Sequence, residues 1–199
     1  SRIYEGTNEI NRMLIVEMML KKAIKKELKI FNSIKKLRKE LALILMGINI
    51  NIPKSKLKNE KQAVCKLKKL ALLMLGIAVS KYKVKLVKEQ EILMRIADII
   101  IESYIAESSL LKTEKLIEKN GFENCKNEIN MTQNGLQESL NIAKISSEEI
   151  IMATSVGLKR KLLISIAKKL TYPLQINIKK IRRSISEKLQ QDGKYSFSI

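Results

Sequence analysis

A chain of 199 residues can bury one substantial core, and 45% of this one is apolar with only seven glycines and two prolines, so long helices are expected rather than many short strands and turns. Basic residues number 39 against 20 acidic, a formal charge of +19 that favours an anionic partner (membrane surface, nucleic acid or a phosphate-bearing ligand), although a bias toward Lys, Ile and Asn gives the same excess by filling solvated helix faces with Lys. Histidine is absent, which excludes His-based triads, acid–base pairs and imidazole metal sites.

Thr7 and Asn8 are both good N-caps, and the spacing predicts a first helix from there to about Phe31. Leu20, Ile24, Leu28 and Phe31 fall on one face of it, opposite Lys22, Lys25, Lys26 and Lys29. A second amphipathic segment, Ser33 to Met46, sets Ile34, Leu37, Leu41 and Leu45 against Lys35, Lys36, Arg38 and Lys39. Gly47 closes it, and the stretch from Asn49 to Lys58, with Pro53, reads as a linker.

A long helix from about Asn59 to Leu86 follows, apolar nearly all round in its middle and therefore central. The next runs from Glu89 to Lys119 and stops at Asn120-Gly121. Phe122 to Ile145 is less regular, and Gly135 weakens it. Ser146-Ser147-Glu148-Glu149 reads as a capping box opening a helix that ends before Tyr172-Pro173. Ile176 to Gln191 is the last helix. Although isoleucine is abundant, its recurrence at three and four excludes a strand pattern. The fold class expected is all-α, a helical bundle of five to seven helices with the longest between Asn59 and Lys119.

Cys65 and Cys125 lack a neighbouring ligand pair and read as reduced apolar residues; no metal site is expected. The longest apolar run, Leu70 to Val79, is about half of what a bilayer crossing needs, so a soluble or peripheral protein is expected.

Chemistry concentrates at the start: Ile3-Tyr4-Glu5-Gly6-Thr7-Asn8-Glu9-Ile10-Asn11-Arg12-Met13-Leu14. Gly6 permits close approach beside the Glu5 carboxylate, and the first turn of the following helix offers free N–H groups and a positive dipole end to an anionic group. By local physics alone, Glu-Gly-Thr at a helix start is ordinarily just a capped helix.

The segment resembles the catalytic-glutamate segment of the acyl-CoA dehydrogenases, flavoenzymes that desaturate fatty acyl thioesters. The resemblance implies that Glu5 is the base taking the α-proton while hydride leaves the β-carbon for the flavin. It implies that Gly6 contacts the substrate and that the N–H of Glu5 helps hold the thioester carbonyl. Thr7, Asn8 and Glu9 would lie along FAD. In that family the segment lies near the end of the enzyme core, so the chain reads as the C-terminal portion of a larger enzyme, inert in isolation. The implied setting is fatty acid β-oxidation: a fatty acyl-CoA substrate, an electron-transfer acceptor, a homodimer, and a bacterial cytoplasmic location with peripheral contact on the inner membrane.

Past the motif, Val87-Lys88-Glu89-Gln90-Glu91-Ile92-Leu93-Met94-Arg95-Ile96-Ala97-Asp98, then Tyr104 and Glu107-Ser108-Ser109, resembles the C-terminal extension of the very-long-chain branch. On that basis residues 1–52 are the end of the enzyme's C-terminal domain and residues 53–199 a helical extension. Two further readings compete. Between Lys21 and Lys39 basic residues face a single acidic one, Glu27, as in helices lying on anionic membrane. Ile150 to Ser186 contains no acidic residue and carries Lys159-Arg160-Lys161 and Lys179-Lys180-Ile181-Arg182-Arg183, a phosphate-neutralising pattern, but stacking aromatics and a nucleic-acid-binding signature are wanting.

Overall fold

The computed structural model describes residues 7–45 and 55–193, apart from the side chains of residues 38, 39 and 42–45. Within them are α1 (Asn8–Ile24), α2 (Ile30–Leu45), α3 (Lys58–Tyr82), α4 (Gln90–Asn120), α5 (Lys126–Thr154), α6 (Gly157–Leu170) and α7 (Ile178–Asp192), and no strand. Short 3-10 turns at Lys83–Lys88 and Glu123–Cys125 join α3 to α4 and α4 to α5. The expectation of an all-α bundle is met. The linker around Pro53, and with it the boundary at residue 53, lies outside the described residues.

The core forms where three long helices meet. α3 is central: α2, α4, α5 and α6 all pack on it, and Leu67, Leu70, Met74 and Leu75 are buried to within 1% of complete. Ile96 and Ile99 of α4 and Leu136, Leu140, Ile150 and Ile151 of α5 complete the interior. α4 and α5 form an antiparallel pair with the most extensive contact in the molecule. Their polar interior positions are matched across the interface: Thr113 and Thr132 hydroxyls lie 2.7 Å apart, and Ser139 Oγ donates to Glu102 at 2.6 Å. Such pairing is what lets a polar group be buried without the cost of an unmade hydrogen bond.

Five local expectations are corrected. The first helix ends at Ile24, not Phe31, in a Schellman motif: Lys26 N–H donates to Ala23 C=O and Glu27 N–H to Lys22 C=O. Lys26 holds the left-handed position with φ 62°, so the glycine that ordinarily marks such a stop is missing from the sequence. In consequence Ile24 is 71% exposed, Leu28 and Phe31 are exposed as well, and the buried positions of the segment are Val16, Ala23 and Ile30. The face expected for Leu20, Ile24, Leu28 and Phe31 is therefore not the buried one. α2 does turn the face expected of it inward, with Leu37 and Leu41 buried.

α5 runs unbroken through residues 126–154, including the stretch expected to be irregular, and at 29 residues it is longer than α3. Hence the longest helices are not confined to Asn59–Lys119. Ser146 and Ser147 open nothing: both are buried in mid-helix, and Ser147 Oγ donates back to Lys144 C=O at 2.9 Å. The real break follows Thr154, where Ser155 is extended and Arg160 Nε donates to its carbonyl at 2.7 Å.

Candidate functional site

The motif enters the described structure at Thr7; Glu5 and Gly6 lie outside the described residues. Thr7 is extended (ψ 149°) and caps α1, its Oγ1 accepting from Ile10 N–H at 3.4 Å. Asn8 and Glu9 occupy the first turn, exposed, and no side-chain hydrogen bond engages them among the described residues. Glu9 stands at the positive end of the helix dipole.

What fixes this helix start is a charged array running across three helices. Arg12 Nε of α1 lies 3.2 Å from Asp98 Oδ1 of α4. The other oxygen of Asp98 is 3.4 Å from an Arg95 terminal nitrogen, and Arg95 Nε donates to Glu149 Oε2 of α5 at 2.5 Å. The Arg12–Asp98 contact is an ion pair by distance without hydrogen-bond alignment: Arg12 Nε is buried and has no hydrogen-bond partner among the described residues. Beneath the array Val16 is fully buried, and Met13, Met19 and Leu20 pack against the core. Through these contacts α1 lies on α4.

The array was not anticipated from sequence. Arg12 and Asp98 stand in the two segments singled out for their resemblances, but nothing in their spacing pairs them. An unpaired-looking Arg one turn into a capped helix is the single local hint.

Elsewhere the chemistry is structural. Cys65 is exposed and Cys125 buried, both as free thiols; burial, reinforced by Glu128, pushes the Cys125 thiol above its ordinary range. Burial likewise lowers Lys66, and burial together with Glu89 raises the Tyr82 phenol. Exposed Glu123 is held lower by its hydrogen bond and charge contact with Lys126. Among the described residues no cluster of Cys, Asp and Glu has the grouping of a metal site, and no helix is long and apolar enough to cross a membrane.

Residues 66–169, which span most of α3 through most of α6, match the family model described as acyl-CoA dehydrogenase, C-terminal domain. A probable acyl-CoA dehydrogenase of Bacillus subtilis (strain 168) is 34% identical over 199 residues, covering 98% of this chain and 32% of the relative. A crystal structure of an acyl-CoA dehydrogenase from Bacillus anthracis, complexed with FAD, superposes with a TM-score of 0.91 at 35% identity, again over 98% of this chain and 32% of the other. The chain thus spans about a third of the length of the relatives it matches.

Proposed function

The chain belongs to the acyl-CoA dehydrogenase C-terminal domain family, and from that premise we propose that it is the C-terminal part of an FAD-dependent enzyme desaturating fatty acyl-CoA, of the very-long-chain-like branch. The observation carrying this reading is the Ile3–Leu14 motif, which runs directly into a Thr7-capped helix anchored by Arg12 to Asp98. Likeness along 98% of the chain to a dehydrogenase complexed with FAD supports it. The branch assignment is supported by the second resemblance, within which Asp98 pairs with Arg12 of α1 and Arg95 braces Asp98.

Glu5 acts as the base, accepting the α-proton of the thioester, and its N–H helps stabilise the charge developing on the thioester carbonyl. Gly6 gives the acyl group room to approach. Bound FAD supplies the hydride acceptor for the β-carbon. Thr7 fits that partner through its backbone at the helix start, its hydroxyl being engaged with Ile10; Asn8 and Glu9 fit it through exposed side chains. The complete enzyme passes its electrons to an electron-transfer acceptor, works as a homodimer and serves β-oxidation in a bacterial cytoplasm. In that enzyme Glu5→Gln keeps shape but removes the base, so turnover is expected to fall about a thousandfold with FAD retained. Near-normal turnover would overturn the role of Glu5.

A second reading, peripheral membrane contact, is favoured by one observation: the α1–α2 connection leaves Ile24 at 71% exposure, with Leu28 and Phe31 also exposed among Lys21, Lys22, Lys25, Lys26 and Lys29. Apolar side chains ringed by Lys suit an anionic bilayer surface, where each Lys is worth about 1 kcal/mol. Changing Lys22, Lys25, Lys26 and Lys29 to Gln should release the complete protein from anionic vesicles without loss of helicity, and wild-type binding should weaken with salt. Equal sedimentation of the two proteins with vesicles would discard this reading.

A further inference from the structure

Between α2, α3 and α6 lies a cavity of about 450 Å3. Leu37, Leu41, Leu73, Ile77, Leu163 and Ile166 line it, all of them buried. Gly76 also lines it, where α3 comes so close to α2 that a Cβ would stand 3.0 Å from Ile34 Cγ2. The volume is in the range of small-molecule sites, and such sites are apolar with a few placed polar groups.

Among the described residues of the lining the polar groups are two: Ser80 is exposed, and Lys159, also exposed, is the single charged residue of that set. Lys159 stands in the first turn of α6, where free N–H groups add positive potential, and it has no ion pair among the described residues. Its neighbour Arg160 is committed elsewhere, donating to the Ser155 and Met152 carbonyls. No acidic residue occurs from Ile150 to Ser186, so α6 brings no carboxylate to answer Lys159.

We propose that this cavity binds a single-chain fatty carboxylate, with the aliphatic tail between α2, α3 and α6 and the headgroup at Lys159. A half-open apolar cleft with one cation at its rim is complementary to a ligand with an apolar tail and one anionic end. A second copy of the chain fits the surface poorly, because two-fold self-pairing about this rim brings the Lys159 cations of the two copies together. The cavity shares no residue with α1, so the proposal goes beyond the dehydrogenase reading and stands apart from the fate of Glu5.

The test is calorimetric titration of the 199-residue chain with decanoate, decanol and decyltrimethylammonium, each below its micellar concentration. Decanoate should bind tightest and the cationic amphiphile weakest. Lys159→Gln should weaken decanoate about fivefold, as expected for loss of one partly screened ion pair, and leave decanol unchanged. Ser80→Trp, which narrows the rim from an exposed position, should weaken decanoate and decanol alike, with helicity by circular dichroism as the control for folding. Equal binding of all three amphiphiles, an unaltered decanoate affinity in Lys159→Gln, or no binding to the wild-type chain would overturn the proposal. So would a dimer that decanoate dissociates, since the cavity would then be a contact between copies.

Discussion

The first helix and the α3–α5 bundle are built on different principles. α1 buries only Val16 and Ala23 and carries Ile10, Leu14 and Met18 exposed along one side. α3 alone buries ten positions, Glu60 among them, whose carboxylate accepts from Gln133 on α5 at 2.6 Å. The family match falls on residues 66–169, inside the bundle, whereas the described part of the motif, Thr7 to Leu14, caps and opens α1. The family-matched bundle and the motif helix are thus separate, and that helix is held to the bundle through Arg12, Asp98 and a short apolar seam. The first turn of α1, with Asn8 and Glu9 exposed, stays out of that core.

The sharpest way to break this comparison is to damage the bundle. Leu70→Ala removes a fully buried side chain from the central helix and should cost about 2–5 kcal/mol in urea unfolding, with α3, α4 and α5 losing protection together. A loss confined to α3 would mean that the bundle is not one cooperative unit.

The sequence read the bundle better than the arm, and the reason is physical. α3 and α4 announce themselves through apolar recurrence, and Asn120-Gly121 marks a true stop, with Gly121 at φ 84°. The end of α1 could not be read, because Lys26 takes the left-handed position without a glycine. Ser146 looked like a cap because a hydroxyl followed by Glu three residues on is also compatible with a buried serine in mid-helix; Glu149 turns to Arg95 instead of back to the serine. At the site, resemblance supplied Glu5 to Glu9, while local physics supplied only a capped helix. Arg12, Asp98, Arg95 and Glu149 come together through tertiary packing of α1, α4 and α5, which no spacing rule encodes.

A gentler change sharpens the contrast. Asp98→Asn removes the charge shared by Arg12 and Arg95 but keeps the side chain's size. Because Arg12 is about a third exposed, solvent screening should hold the global cost to about 1 kcal/mol or less. The effect should instead appear locally, as faster amide exchange in α1 with α3 and α5 unaltered.

Smaller still is the difference between the two thiols. Cys65 should react promptly with a thiol reagent and Cys125 only on unfolding, since one is exposed and the other is buried with its thiol pushed up. The sign for stability follows: a raised folded value stabilises fully below the unfolded thiol's range, and that contribution is lost as pH rises from there through the raised folded value.

Hydrogen exchange of the wild-type chain, resolved by helix, tests the separation most directly. The expected result is that amides of α1 exchange through local opening, well before the interior amides of α3, α4 and α5, which should open together at the global unfolding free energy. Equal protection of α1 and the bundle would contradict it, because the motif helix would then be part of the core rather than docked upon it.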